Sequence, residues 1–135
     1  MVLVYNLTRQ KIDIAKWQTL SQLFLDEQGA RGEVSLILIG DRRMRNLNKQ
    51  YRRQDKVTDV LSFADGEDNQ LGEVMIDYPQ IVRQAQRFGH SVWQELIFIT
   101  IHGLLHLLGY EDDSQEGRAI MIKLGEQFLD SYNIC

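Results

Sequence analysis

Two histidines in an apolar run have the greatest potential for chemistry in this sequence. His102 and His106 lie four residues apart in the stretch Ile101–Asp113, which reads IHGLLHLLGYEDD. On an α-helix this spacing places both imidazoles on one face, with Cβ atoms about 5–6 Å apart. Neutral imidazoles that converge in apolar surroundings are typical ligands of a divalent metal. An isolated pair of this kind is more often structural, so the neighbouring residues must decide.

The residues after the second histidine favour the metal site. Gly109 ends the apolar run at the point where a helix needs a left-handed residue. The acidic residues Glu111, Asp112 and Asp113 follow at once and can fold back towards the histidines. The pattern therefore predicts two helical ligands, a glycine turn and one carboxylate ligand.

The segment Asp41–Lys56 concentrates positive charge in a chain whose formal net charge is −4. Such clustering creates a local positive field that can hold phosphate groups. We therefore expect this segment to bind a polyanion, the alternative being a solvated helix face. The segment holds seven of the fifteen basic residues: Arg42, Arg43, Arg45, Lys49, Arg52, Arg53 and Lys56.

Length and composition predict one domain over residues 1–135, enough to bury roughly two-thirds of the unfolded surface. The single cysteine, Cys135, cannot form an internal disulfide, which fits a reducing compartment. No signal-peptide pattern opens the sequence. The longest apolar stretch, Leu96–Leu108, is shorter than the ~20 residues of a membrane span. We expect a cytoplasmic protein that does not associate with membranes.

The hydrophobic periodicity predicts the order β-α-β-α-β-β-α-α-α, an α+β fold with a small mixed β-sheet. The helix that carries the histidines is apolar nearly all round and is predicted to be central and buried. Ser91 with Gln94 is a capping pattern at its start, and Asp113 with Glu116 is one for the last helix. The polar link 64–70 predicts a hairpin. The predicted strands are Val2–Tyr5, Val34–Ile39, Val57–Phe63 and Leu71–Ile76.

Three blocks of the sequence resemble the YbeY family of ribosomal RNA maturation factors. Residues 102–112 are similar to the family signature H-G-x-L-H-L-x-G-Y-D-H. Residues 51–64 are similar to Y-R-x-x-D-x-P-T-D-V-L-S-F-P, and Leu71-Gly72-Glu73 matches a third block. The blocks follow the family's order, and the similarity spans nearly the whole chain.

The resemblance implies a metal-dependent, single-strand-specific endoribonuclease with one zinc-like ion held by three histidines. His102 and His106 match two of these ligands, and Arg52 matches an arginine that the family uses for activity. The implied substrate is precursor ribosomal RNA near the 3′ end of the small-subunit RNA, with ribosome quality control as a related role. The implied partners are the small ribosomal subunit and ribosomal or assembly-GTPase proteins. We expect the other basic residues of the 42–56 segment to hold the RNA backbone.

Two departures from the family pattern concern the metal. Asp112 stands where the family has its third histidine, and Glu111 stands where the family has aspartate. Because aspartate can bind zinc at about 2.0–2.2 Å, we predict Asp112 as the third ligand and keep Asp113 as the alternative. An oxygen ligand also makes Mn²⁺ or Mg²⁺ more competitive with Zn²⁺. Glu111 and Asp113 are both candidates for the general base, on proximity alone.

Two other functions compete with the ribonuclease. A metzincin-like zinc peptidase has a similar histidine spacing, but its first histidine is followed by a glutamate base, and here that residue is Gly103. A non-catalytic ribosome-assembly factor with a structural metal is the other alternative. Structural zinc sites usually have four protein ligands, and this sequence offers three.

Overall fold

The computed structural model describes residues 1–135 and has the predicted order of elements. A polar turn over residues 65–69 joins the third and fourth strands. Four strands and five helices run along the chain as β1 (Val2–Asn6), α1 (Ile14–Glu27), β2 (Glu33–Ile39), α2 (Asp41–Arg52), β3 (Val60–Ala64), β4 (Gln70–Asp77), α3 (Tyr78–Phe88), α4 (Val92–Leu107) and α5 (Gln115–Ser131).

The four strands form one mixed sheet in the order β1-β2-β4-β3. β1 pairs with β2, and β2 with β4, in parallel. β3 and β4 pair antiparallel as the predicted hairpin. Parallel neighbours need a crossover connection, which α1 provides between β1 and β2. The α+β class and the mixed sheet predicted from the sequence are confirmed.

The main core lies between one face of the sheet and the helices α1 and α4. Side chains alternate along a strand, so Val34, Leu36 and Leu38 of β2 point into this core and are fully buried. On the opposite face, Met44 of α2 packs with Ile39 in a smaller cluster. The helix that carries the histidines therefore packs on the better-filled side of the sheet.

Helix α4 is the central buried helix, as predicted, and it contacts α1, α3, α5, β3 and β4. The Ser91 hydroxyl begins the helix by accepting a hydrogen bond from the Gln94 N–H at 3.0 Å. A Cβ atom on Gly103 would lie 2.6 Å from Cγ1 of Val74, so this glycine lets α4 lie directly on the hairpin. None of the helices combines the length and apolar composition that crossing a bilayer requires.

Several predicted strand ends are wrong by one residue, and the predicted starts of α5 and β3 are also wrong. Ser114, not Asp113, begins α5, because its hydroxyl accepts a hydrogen bond from the Gly117 N–H at 3.0 Å. β3 begins at Val60 rather than Val57. The preceding residues form a turn in which the buried Asn48 amide donates to the Lys56 carbonyl at 2.9 Å.

Candidate metal centre

His102 and His106 lie side by side near the end of α4, as their spacing predicts. Their ring centroids are 4.9 Å apart, with 79° between the ring planes. Both side chains are partly buried, with 18% and 28% of their surface exposed. The two imidazoles therefore converge at the border of the core, where solvent can still reach them.

The chain turns back after α4 and brings Asp112 to the two rings. The turn passes through Gly109, whose φ of +99° is unfavourable for any residue with a Cβ. Oδ2 of Asp112 lies 3.0 Å from Nε2 of His102 and 3.4 Å from Nε2 of His106. All three ligand atoms lie within 4.8 Å of one another. The structure thus brings the predicted ligand set together, and Asp113 is not part of it.

This spacing is compatible with a divalent ion. Two atoms bound at about 2.0–2.1 Å to one tetrahedral zinc ion are about 3.3 Å apart. The two measured separations from Asp112 Oδ2, 3.0 Å and 3.4 Å, bracket that value. His102, His106 and Asp112 could therefore hold a metal, with the two imidazole nitrogens, which lie within 4.8 Å of each other, free to close on the ion.

The charge state of Asp112 suits a ligand. Burial on its own raises the pKa of this carboxyl, but the hydrogen bond to His102 and the nearby His106 outweigh burial, and the pKa lies below its ordinary value. Asp112 is therefore ionised at neutral pH and offers an anionic oxygen.

The first turn of α5 fixes the loop that carries Asp112. A Cβ on Gly117 would lie 2.2 Å from the Glu111 carbonyl oxygen, so only glycine permits this approach. The Arg118 side chain donates to the Asp112 carbonyl at 3.4 Å. These supporting residues were not predicted from the sequence. The only signal for them was a glycine in the first turn of a helix.

A cleft of about 220 Å³ adjoins His106. Arg52, from the end of α2, and His106, from α4, line it together. Arg52 is exposed and forms no salt bridge with the protein's own carboxylates. Glu111 also lines the cleft, whereas Asp113 does not. An arginine free to meet an anion therefore shares an open cleft with the candidate metal centre.

Other predicted basic residues form an exposed stripe along α2 that ends at Arg52. Arg42, Arg45 and Lys49 follow helical spacing and point to solvent. Arg45 pairs with Asp55 at 2.7 Å, with both side chains more than half exposed. Arg43 lies to one side, in a depression that it shares with Arg42 and Leu7. Arg53 ends α2 in a left-handed conformation, and Lys56 follows in the exposed turn.

The fold and the site define a small α+β protein with a candidate metal centre beside a basic helix. The family model described as Endoribonuclease YbeY matches residues 4–133. The chain therefore belongs to the YbeY family, which confirms the resemblance seen in the sequence.

Relatives and a solved structure agree with this assignment. The chain is 39% identical over 115 residues to the Endoribonuclease YbeY of Carboxydothermus hydrogenoformans, covering 83% of this chain and 80% of that protein. It is 44% identical over 117 residues to the Endoribonuclease YbeY of Moorella thermoacetica, covering 76% and 75%. The solution structure of TM1509 from Thermotoga maritima superposes with a TM-score of 0.70 at 25% identity, covering 98% of this chain and 92% of that one.

The packing of α4 on the β-hairpin explains why this chain lacks the glutamate base of a metzincin-like peptidase. A glutamate at position 103 would place its Cβ 2.6 Å from Val74 and 3.1 Å from Val60. The side chain would therefore point into the β-hairpin rather than into the cleft. The position that supplies the metzincin base is here part of the helix–sheet interface.

Proposed function

We propose that this protein is a metal-dependent endoribonuclease that cleaves single-stranded RNA during maturation of the 3′ end of small-subunit ribosomal RNA. The observation that carries the proposal is the convergence of His102, His106 and Asp112 beside a cleft that His106 and Arg52 line together. Membership of the YbeY family, whose named relatives are endoribonucleases, supports the reaction class.

In this proposal His102, His106 and Asp112 hold one divalent ion. Three protein ligands leave a coordination position open, which is typical of catalytic rather than structural sites. Zn²⁺ is our first choice, and the oxygen ligand makes Mn²⁺ and Mg²⁺ competitors. When bound, such an ion supplies Lewis-acid chemistry, withdrawing charge from a phosphoryl oxygen or from a water molecule.

Arg52 and Glu111 have separate roles at the scissile phosphate. The Arg52 guanidinium can donate two hydrogen bonds to phosphate oxygens and so stabilise the charge that builds up in the transition state. Glu111 is our candidate for the general base that takes the proton of the attacking water, because Glu111 lines the cleft and Asp113 does not. Arg52 acts from the end of α2, and Glu111 acts from the loop after α4.

The basic stripe on α2 defines a path along which the RNA backbone would reach the cleft. Arg42 and Arg52 are ten residues apart on α2, which corresponds to about 15 Å along the helix axis. Arg45 and Lys49 lie between them and would contact the backbone of the strand that leads to the cleft. Arg43, Arg53 and Lys56 would add phosphate contacts at the margins of the stripe.

The proposed setting is the cytoplasm, where one domain over residues 1–135 would act on ribosomal RNA. Its partners would be the small ribosomal subunit and ribosomal or assembly-GTPase proteins. A role in ribosome quality control would follow from the same RNA cleavage.

One experiment tests the site through metal content and RNA cleavage in the same preparations. After loading with Zn²⁺, we expect the wild type and the control Asp113→Ala to bind one ion per chain, by mass spectrometry of the metal. His102→Ala should lose the ion, because one of three ligands is gone, and Asp112→Ala should bind it more weakly. Full metal retention in Asp112→Ala would exclude Asp112 as a ligand.

The cleavage arm uses a short single-stranded RNA. We expect Arg52→Ala to keep its metal but to cleave about 10²–10³-fold more slowly, the usual loss for one transition-state donor. The matched control Arg87→Ala removes an exposed arginine on α3 and should cleave normally. A metal-loaded wild type that cleaves no RNA would refute the ribonuclease and favour the assembly factor.

A further inference from the structure

A second cavity lies at the opposite end of α4 from the histidines. Its volume is about 310 Å³, and it is enclosed by the end of α3, the first turns of α4 and the second half of α5. It shares no lining residue with the cleft beside His106. Glu95 in this cavity precedes His102 by seven residues, or about 10 Å along the helix. The cavity is therefore separate from the candidate metal centre.

The lining of this cavity is anionic. It contains the carboxylates of Glu95, Glu126 and Asp130 but no lysine or arginine. His90 is the one other ionisable residue in its lining. Asp59 lies close enough to Glu95 to add to the negative potential there. A positively charged ligand would therefore find complementary charge in the cavity.

Glu95 gives the strongest indication of a missing partner. The residue is only 3% exposed, and its carboxylate forms no salt bridge. Oε2 accepts a hydrogen bond from the Gln84 amide at 3.0 Å, while Oε1 accepts none. Burial raises the pKa of Glu95, although the Gln84 hydrogen bond lowers it. Apart from His90, whose proximity lowers the pKa of Glu95, no cationic side chain lines the cavity beside this buried carboxyl, and a ligand cation would compensate its charge.

Two aromatic rings complete the cavity. Phe88 at the end of α3 is 56% exposed, and Phe98 of α4 lies deeper. Gly125 lets α5 close on the Phe98 ring, because a Cβ there would lie 2.8 Å from it. Aromatic faces attract cations and pack against apolar stems. The cavity thus offers carboxylates for a positive charge and aromatic rings for the aliphatic stem that carries it.

We propose that this cavity binds an organic cation with an apolar stem, supplied by an arginine or lysine side chain of a protein partner. The carboxylates of Glu95, Glu126 and Asp130 pair with the charge, and Phe88 and Phe98 contact the stem. A free polyamine has the same chemistry and is the other source that the experiment must distinguish. The inference does not depend on RNA cleavage.

The first test is calorimetric titration of the full-length protein with N-acetyl-arginine amide. We expect binding at millimolar concentrations and none for N-acetyl-citrulline amide, which has the same shape without the charge. Glu95→Gln should weaken binding about tenfold, the usual effect of losing a charged hydrogen-bond partner. The control Glu67→Gln removes an equal charge from the exposed β3–β4 turn and should bind like the wild type. Equal affinity for citrulline, an unaffected Glu95→Gln, or no binding would overturn the proposal.

The second test distinguishes the two sources of the cation. We expect an acetylated Gly-Arg-Gly amide to bind more tightly than spermidine, because a peptide can also contact the exposed Phe88 ring. Phe88→Ala should then weaken peptide binding by severalfold, since the exposed ring is lost while the carboxylates remain. If spermidine binds more tightly than the peptide and its binding depends on Glu95, the proposal of a protein partner is wrong.

Discussion

Three adjacent acidic residues after α4 occupy three different environments. Glu111 lines the cleft beside His106, and Asp112 faces both imidazoles. Asp113 is exposed and belongs to neither group. The difference arises because Gly117 packs on the Glu111 carbonyl and fixes the turn of the loop. A one-residue shift of this loop would exchange the roles of ligand, cleft carboxylate and exposed side chain.

A buried carboxyl, that of Asp77, lies at the end of β4. Asp77 is fully buried, and neither of its oxygens accepts a hydrogen bond from a protein donor. Its neighbour Asp41 is held by two hydrogen bonds from Arg83, at 2.8 and 3.1 Å. Burial, and then the proximity of Asp41, raise the pKa of Asp77 to about 8. The hydrogen bond to Arg83, and then that to Asp77, lower the pKa of Asp41 to about 2. Two carboxyls can adjoin only if one carries a proton, and here it is Asp77.

The protonated Asp77 makes stability depend on pH. Its ordinary pKa is 3.8, so between about pH 4 and pH 8 the native state holds a proton that the unfolded chain has released. The contribution of Asp77 to the free energy of unfolding is therefore fully present below about pH 4 and is lost as the pH rises towards 8. We predict that Asp77→Asn, which keeps a donor for Asp41, is more stable than the wild type at pH 8 by about 1–3 kcal/mol. The advantage should shrink at pH 5.

Urea unfolding at pH 5 and pH 8 measures this effect. The control Asp68→Asn removes an exposed carboxylate from the hairpin turn and should leave the pH dependence unchanged. A difference between Asp77→Asn and wild type that does not grow with pH would show that Asp77 is ionised in the native protein.

The contact between α4 and the β-hairpin depends on Gly103. Alanine is the better helix former by about 1 kcal/mol, but its Cβ would meet Val74 at 2.6 Å and Val60 at 3.1 Å. We predict that the packing conflict dominates and that Gly103→Ala lowers the free energy of unfolding by about 1–3 kcal/mol. Thermal or urea unfolding measures the loss.

Two variants make this prediction specific. Gly66→Ala, in the open hairpin turn with no neighbour within 4 Å, should change stability by less than about 0.5 kcal/mol. Adding Val74→Ala to Gly103→Ala should recover part of the loss, because it removes the nearest contact. A stabilised Gly103→Ala would mean that α4 does not lie this close to the hairpin.

The elements that periodicity defines strongly could be predicted from the sequence. The apolar surface of α4 and the polar link 64–70 gave the central helix and the hairpin, and the histidine spacing gave the converging rings. The start of α5 could not be predicted, because Asp113 and Ser114 both satisfy a capping pattern. The choice between them depends on the close approach of Gly117 to the Glu111 carbonyl, which the capping pattern does not contain.

The whole molecule separates its charges along α4. The basic stripe of α2 ends beside His106, near the C-terminal end of α4, while the anionic cavity around Glu95 lies at the N-terminal end. A net charge of −4 therefore conceals one positive and one negative surface. Such a division suits a protein that holds an RNA strand on one side and a basic partner on the other.

The most direct test of the account is a titration of metal-stripped protein with Zn²⁺ while the cleavage of a single-stranded RNA is followed. We predict no cleavage without metal, a rate that rises until one ion is bound per chain, and no response in His102→Ala. Full cleavage by the stripped protein, or an equal response in His102→Ala, would contradict a ribonuclease centred on His102, His106 and Asp112.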